Sequence, residues 1–177
     1  MEEFSYTLKI PKERVAVLIG KEGSIKKRIE EETAIHIRID SDEGDVYIKG
    51  EDALKLYTCR EIIKAIGRGF NPEIALLLLK YDYSFEMISL NEMIKPSAME
   101  RIKGRIIGSD GKSRRTIEEL TRCFICVYGK TVGIIGETEN VALARRAVES
   151  LIQGSPHSSV YKFLERKRRE MKKKDVL

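Results

Sequence analysis

Tryptophan is absent from the chain, glutamine occurs once (Gln153) and asparagine three times, against 61 charged side chains among 177 residues. Such an amide-poor, Lys- and Glu-rich balance resembles the proteins of thermophiles, a matter of habitat and not of function. Cysteine is scarce too. Cys59, Cys123 and Cys126 make no disulfide framework, so a reducing cytoplasm is the expected location. The longest apolar run is IALLLL at 74–79, far short of the about 20 residues that a membrane helix needs. The start, MEEFSYTLKI, is acidic and then alternating, unlike a secretory leader. A soluble cytoplasmic protein without a membrane partner is expected.

Residues suited to catalysis are equally thin. His36 and His157 stand far apart and have no nucleophile in a partner pattern. Cys123-x-x-Cys126 has no second Cys/His pair to complete a tetrahedral metal site. Its segment also reads as a strand, in which residues three apart point to opposite faces. GSDGKS at 108–113 imitates the end of a nucleotide-binding Walker loop, but that motif needs glycine where Ile106 stands. The acids at Glu30–Glu32 and Glu118–Glu119 read as solvated helix faces. No catalytic residue, metal or cofactor is expected, and the chain reads as a non-enzyme.

What the chain does contain is a repeat. At an offset of 88, residues 19–37 and 107–125 share eight identities in 19 positions, including Ile19/Ile107, Gly20/Gly108, Gly23/Gly111 and Ile37/Ile125. Lys26–Lys27 against Arg114–Arg115 keeps the charge, as does Glu22 against Asp110. Internal identity at this level indicates two copies of one structural unit. In each, an alternating strand (4–10 and 83–90) precedes a proline (Pro11, Pro96) placed to begin a helix that runs into the first glycine. A second helix follows, its buried face marked by Ile25 and Ile29 in one copy and Ile117 and Leu120 in the other. Two short strands and a helix, at about 51–66 and 137–152, complete each unit. The expected class is α+β with the order β-α-α-β-β-α twice. The division falls at 1–80 and 81–177, with an apolar helix at 73–79 after the first unit and a basic helix at about 160–174 after the second.

Between the two helices of each copy lies a Gly-x-x-Gly tetrapeptide. The helix N-terminus behind it offers free amides and the positive end of a dipole, which suit a phosphate. Glycine permits the tight turn and lets a ligand approach the backbone. The spacing alone is weak, since 13 glycines yield about one such match by chance; GIIG at 133–136 is a third instance, read as strand. Context carries the argument: the same elements surround the loop twice. One loop, GSDG, holds an acid where an anion is expected to bind. Residues 11–28 and 97–115 nevertheless each carry a net charge of +4, so Asp110 is outvoted locally. It stands where it would also cap the following helix. The run KFLERKRREMKKK at 162–174 adds a net charge of +6, a contact for a polyanion or a solvated helix end.

The stretches LIGKEGSIKKRIEEETAIHI and IIGSDGKSRRTIEELTRCFI resemble KH domains of the eukaryotic, type I arrangement. KH domains clamp the backbone of about four single-stranded nucleotides with this loop. The resemblance implies one phosphate site at Gly20, Lys21, Glu22, Gly23, Lys26 and Lys27. It implies a second, attenuated one at Gly108, Ser109, Asp110, Gly111, Lys112, Arg114 and Arg115, with Arg105 and the basic helix as auxiliaries. Bases would lie over an aliphatic groove of Ile19, Ile25 and Ile37 in the first copy and Ile107 and Ile125 in the second. Nearly the whole chain, including RIKGRIIGSDGKSRRTIEELTR and LIQGSPHSSVY, is similar to the partner-of-Nob-one (Dim two) ribosome-assembly family in archaeal form. In eukaryotic members the first loop is lost; here GKEG is intact. That resemblance implies single-stranded RNA as partner, small-subunit rRNA near its 3′ end, together with an rRNA-processing endonuclease or other assembly factors. The competing expectation is a protein-binding scaffold that touches RNA mainly through its basic helix.

Overall fold

The computed structural model describes residues 2–176. It separates into two compact units, one running to Tyr83 and the other beginning at Ser84. In the first, strand β1 (Phe4–Lys9) leads through helices α1 (Lys12–Ile19) and α2 (Ser24–Thr33) to β2 (His36–Asp40), β3 (Asp45–Gly50) and α3 (Ala53–Gly67). A short helix, α4 (Pro72–Ala75), and a 3-10 turn (Leu76–Leu79) follow. In the second, β4 (Tyr83–Ser89) and a one-turn helix, α5 (Leu90–Met93), precede α6 (Met99–Ile107), α7 (Lys112–Thr121), β5 (Phe124–Tyr128), β6 (Thr131–Glu137), α8 (Thr138–Ile152) and α9 (His157–Asp175). Both sheets have three strands with the last one central, in the orders β1-β3-β2 and β4-β6-β5. β2 and β5 are therefore edge strands.

Alternation decides which side of each sheet is covered. Ile37 faces Ile48 and Ile39 faces Val46 across the β2–β3 pair, and Ile37, Ile48 and Val46 are at most 1% exposed. His36, Arg38 and Lys49, on the intervening positions, are exposed. The helices supply the rest of the core with single apolar stripes: Ile29 in α2 and Ile117 in α7 are fully buried, as are Ile62 and Ile66 in α3. Ile25 and Leu120, expected on the buried faces, are only half-buried. The two prolines also stand slightly outside their expected places. Pro11 is the residue before α1, and Pro96 opens a separate 3-10 turn ahead of α6. The one-turn helix α5, with Leu90 buried, has no counterpart in the first unit and is not legible from alternation.

Helix ends are settled by named groups. The Asp52 carboxylate accepts hydrogen bonds from the amides of Leu54 and Lys55 at 2.9 and 3.1 Å, which caps α3. The C-termini of α3 and α8 are each held by an arginine from the helix that runs into the unit's Gly-x-x-Gly loop. Arg14 donates to the carbonyls of Ile66 and Phe70 at 2.8 and 2.9 Å. Arg105 donates to those of Leu151 and Ser155 at 3.2 and 2.6 Å. Helices α2 and α7 end on left-handed residues, Ala34 (φ 58°) and Arg122 (φ 56°), where glycine is the usual choice. The basic segment is a docked helix: α9 buries Val160 and Leu164 in the core of the second unit, each contributing about 1.5–3 kcal/mol. Arg166, Arg169 and Lys172–Lys174 stay at least partly exposed.

Cys59 and Cys123 are buried and Cys126 half-buried. Burial raises the Cys59 thiol from its ordinary 9.0 to about 12, against a lowering hydrogen bond with Thr33. Burial likewise raises Cys123 to about 11, against a hydrogen bond with Thr121.

Two outcomes follow. Ala34→Gly and Arg122→Gly each relieve a left-handed L-residue and are expected to raise the urea-unfolding free energy by about 0.5–1 kcal/mol, less than the full strain because glycine also loosens the unfolded chain. A drop would show that neither site is strained. In native protein at pH 8, a thiol reagent should titrate no more than Cys126, whereas all three thiols react in denaturant. Because the folded thiolates are disfavoured, the stability from these two groups is complete below pH 9.0 and is lost as pH rises through about 11 and 12. An alkaline unfolding series checks the sign.

Candidate nucleic-acid interface

Each Gly-x-x-Gly stretch forms a single tight turn between two helices. Gly20 has φ 75° and ψ 175°, Glu22 φ 55° and ψ 28°, and Gly23 φ 76° and ψ 13°. The second loop repeats this closely: Gly108 at 76° and 174°, Asp110 at 52° and 29°, Gly111 at 74° and 15°. The first glycine of each loop is required by packing as well as by its dihedral. A Cβ on Gly20 would stand 2.8 Å from the amide nitrogen of Ile25, and one on Gly108 2.7 Å from that of Ser113. The second glycine faces open space at Gly23 and only the flexible Arg115 and Arg114 side chains at Gly111. That open side is where a ligand can reach the backbone.

The acid in the loop has a conformational role. Glu22 and Asp110 occupy the left-handed position of the turn, a region that Asp tolerates better than most residues. Asp110 does not cap the following helix, contrary to the expectation from its position in the sequence. The residue before α7 is Gly111, and no side chain makes a capping hydrogen bond there. The helix start is also less vacant than expected. The amide of Gly23 donates to the Gly20 carbonyl, and that of Gly111 to the Gly108 carbonyl, both at a long 3.2 Å. The amides of Ser24 and Lys112 are used within the loops too. Side-chain charge therefore has a larger share of any anion attraction.

The basic residues fall into two sets. Lys21 and Lys112 are exposed beside their loops, together with Ser109, Lys27 and Arg115. Lys26 and Arg114 are half-buried and paired along their helices, Lys26 Nζ 3.4 Å from Glu30 and Arg114 Nη1 2.7 Å from Glu118. Arg105, expected as an auxiliary contact, has its guanidinium on the Leu151 and Ser155 carbonyls instead. It locks the end of α8, and its own carbonyl lies 2.8 Å from His157 Nε2 at the start of α9.

Beside the first loop runs a cleft along the edge strand, lined by Ile19, Lys26, His36, Ile37, Arg38 and Ile39. Ile19 and Ile107 are half-buried, as a groove wall requires. Ile37 lies at the floor of this cleft and is 0% exposed, and Ile125 is 4% exposed, so both side chains belong to the cores. Ile25 fills the space over Gly20 and is not among the residues lining the cleft. Its counterpart, Ser113, is buried at 3% exposure, and its hydroxyl has no hydrogen-bond partner among the described residues.

Two residues that sequence reasoning set aside take a central position. Glu30 Oε2 accepts a hydrogen bond from the Ile37 amide at 3.0 Å, and Glu118 Oε2 accepts one from the Ile125 amide at 2.9 Å. They are not part of a solvated acidic face. Each reaches from the second helix to the outward amide of the edge strand. Their identity at offset 88 was a signal in the sequence, outweighed by the neighbouring acids that do face solvent.

Comparison with known proteins agrees with this geometry. The model of the eukaryotic-type KH domain (type I) that describes the second domain of PNO1 matches residues 84–169, and the general KH-domain model matches residues 5–65. KH domain-containing protein MJ0443 of Methanocaldococcus jannaschii is 50% identical over 171 residues, covering 94% of this chain and 75% of its own. Pre-rRNA-processing protein PNO1 of Chaetomium thermophilum is 33% identical over 122 residues, or 67% of this chain and 46% of its own. The chain thus spans less than half of that fungal relative. A chain in the crystal structure of the a/eIF2α–aDim2p–rRNA complex from Pyrococcus horikoshii superposes with a TM-score of 0.90 at 46% identity, covering 95% of this chain and 96% of that one. Two type I KH units in register, and similarity on this scale, mean that the chain belongs to the KH-domain family that includes the PNO1 and Dim2 proteins.

Proposed function

We propose that this protein binds single-stranded RNA through both KH units, without catalytic activity. Its target in this reading is small-subunit precursor rRNA near the 3′ end, and its setting is maturation of the small ribosomal subunit in the cytoplasm. The observation that carries the reading is the doubled assembly of open glycine, exposed basic rim and adjoining edge strand. A flexible strand laid along it meets cations at its phosphates and, in the first unit, a half-apolar cleft at its bases. The rRNA target is supported by the relative described as pre-rRNA-processing and by the rRNA complex of the Pyrococcus protein. An rRNA-processing endonuclease or another assembly factor is the protein partner that fits this setting. Among the described residues, no helix is long and apolar enough to cross a membrane.

A second reading rests on α9, which is anchored by Val160 and Leu164 and shows basic residues to solvent from Arg166 to Lys174. A chain that served mainly as a scaffold would touch RNA there and would tolerate acids in both loops.

Fluorescence anisotropy separates the two. A labelled strand matching the 3′ end of small-subunit rRNA is compared with a scrambled strand at two salt concentrations. Wild type is expected to prefer the true sequence. Ser109→Asp, and Lys21→Asp combined with Glu22→Asp, should each weaken it about tenfold, equivalent to 1.4 kcal/mol. Replacing Arg169, Lys172 and Lys173 by serine should lower affinity for both strands alike and reduce the salt slope by about 0.7 for each phosphate no longer neutralised. Equal binding by the loop variants and wild type would remove the clamp reading and leave the scaffold.

A further inference from the structure

The carboxylates of Glu30 and Glu118 each face a strand amide and a cation, and Glu30 Oε2 also lies 3.3 Å from His36 Nδ1. One oxygen accepts the edge-strand amide, Ile37 at 3.0 Å or Ile125 at 2.9 Å. The other faces a cation one turn earlier on the same helix, Lys26 Nζ at 3.4 Å or Arg114 Nη1 at 2.7 Å. In the first unit the cation held this way lines the cleft with Ile19, Ile37 and Ile39. In the second, Arg114 lies between Glu118 and the loop, its Nη2 3.7 Å from the place where a Cβ on Gly111 would stand. Both helix–strand junctions thus present a tethered cation where an edge strand would otherwise present a free amide.

A base meeting an edge strand pairs with what the strand offers. Adenine presents an acceptor beside a donor and suits a strand amide next to a strand carbonyl. With the amide occupied by a carboxylate, that pairing is impaired. Guanine presents two adjacent acceptors, O6 and N7, which the arginine fork matches. Glu118 takes one of the five guanidinium donors, which leaves the rest of the fork for a base. Lysine, by contrast, is a rotatable point charge and accepts many acceptor geometries.

Resting on the RNA-binding reading above, we infer that the Arg114–Glu118 pair selects the base, with guanine as the base it takes, and that Lys26–Glu30 is its permissive counterpart. Arg114 is then a base-contacting residue and not one of the phosphate contacts. Glu118 is a positioning residue that both aims the fork and withdraws the Ile125 amide. The two units then differ in base selectivity.

The test uses the full chain carrying Lys21→Asp and Glu22→Asp, so that the second unit dominates binding. The probes are four fluorescein-labelled heptanucleotides, uridine throughout except for U, A, C or G at the centre. The guanine probe should bind about tenfold more tightly than the adenine probe. Arg114→Lys keeps the charge but loses the fork, so the guanine-to-adenine ratio should collapse, with the all-uridine probe as the reference for any change shared by every base. Glu118→Ala frees the Ile125 amide and should move the preference toward adenine. Glu118→Gln retains an oxygen for that amide, so it separates loss of the fork's anchor from loss of fold, with thermal midpoints as the control. An unchanged guanine-to-adenine ratio in Arg114→Lys, or an equal loss on all four probes, overturns the inference and makes Arg114 a phosphate contact or a structural residue. Failure of the parent protein to bind any probe at low salt, although wild type binds them, overturns it too and leaves the RNA reading to the first unit. Failure of wild type itself to bind would bring down the RNA-binding reading as well.

Discussion

Two helices in each unit meet at a glycine with no room for a single further carbon. At Gly20 the space a Cβ would occupy is filled by Ile25, and at Gly108 by Ser113. This approach brings the first turn of α2 or α7 against the last turn of α1 or α6. It also turns the second glycine of the loop outward and sets the second helix beside the edge strand. The exposed loop, the cleft and the reach of Glu30 or Glu118 to the strand all depend on it. The left-handed residue between the glycines is the cost of closing so short a turn. That accounts for an acid in a loop otherwise suited to anions: Asp110 answers to backbone geometry, and the charges around it offset its repulsion.

The charges around the loops are not interchangeable. Lys112 and Arg115 project beside the loop, whereas Arg114 is paired with Glu118 and Arg105 is bound to the end of α8. In sequence they are all basic residues close to a glycine pair. On a helix their phase decides their surroundings. A side chain one turn before a glutamate meets its carboxylate, while its neighbour about 100° around the axis projects into solvent. Net charge near a loop is therefore a poor measure of the charge available to a ligand.

The two copies share a backbone more faithfully than they share side chains. Loop dihedrals agree within a few degrees, and a glutamate ties helix to strand in both. Yet Ile25 is replaced by a buried serine whose hydroxyl has no hydrogen-bond partner among the described residues, and Lys26 by an arginine. The arginine that locks the unit's last helix starts from different turns, Arg14 lying six residues before its glycine and Arg105 three. Only the second unit continues into a docked basic helix. Such divergence gives one backbone frame two different sets of side-chain chemistry.

Repetition, alternation and glycine spacing made the architecture legible in the sequence. The identities at offset 88 give two units, the isoleucines at every second position give the strands and their inward faces, and Gly20 and Gly108 mark where helices must turn. These are local or periodic properties, and they survive without knowledge of what lies across the fold. The sequence also marked the loop residues, but it could not say which basic side chains face outward, that Ile37 and Ile125 belong to the core, or that Arg105 is spent on a helix end. Nor could it separate Glu30 and Glu118 from the acids beside them. Those outcomes depend on which strand lies within 3.0 Å of a given carboxylate and which helix end lies beside a guanidinium. Distances of that kind exist only once segments far apart in the chain have packed together.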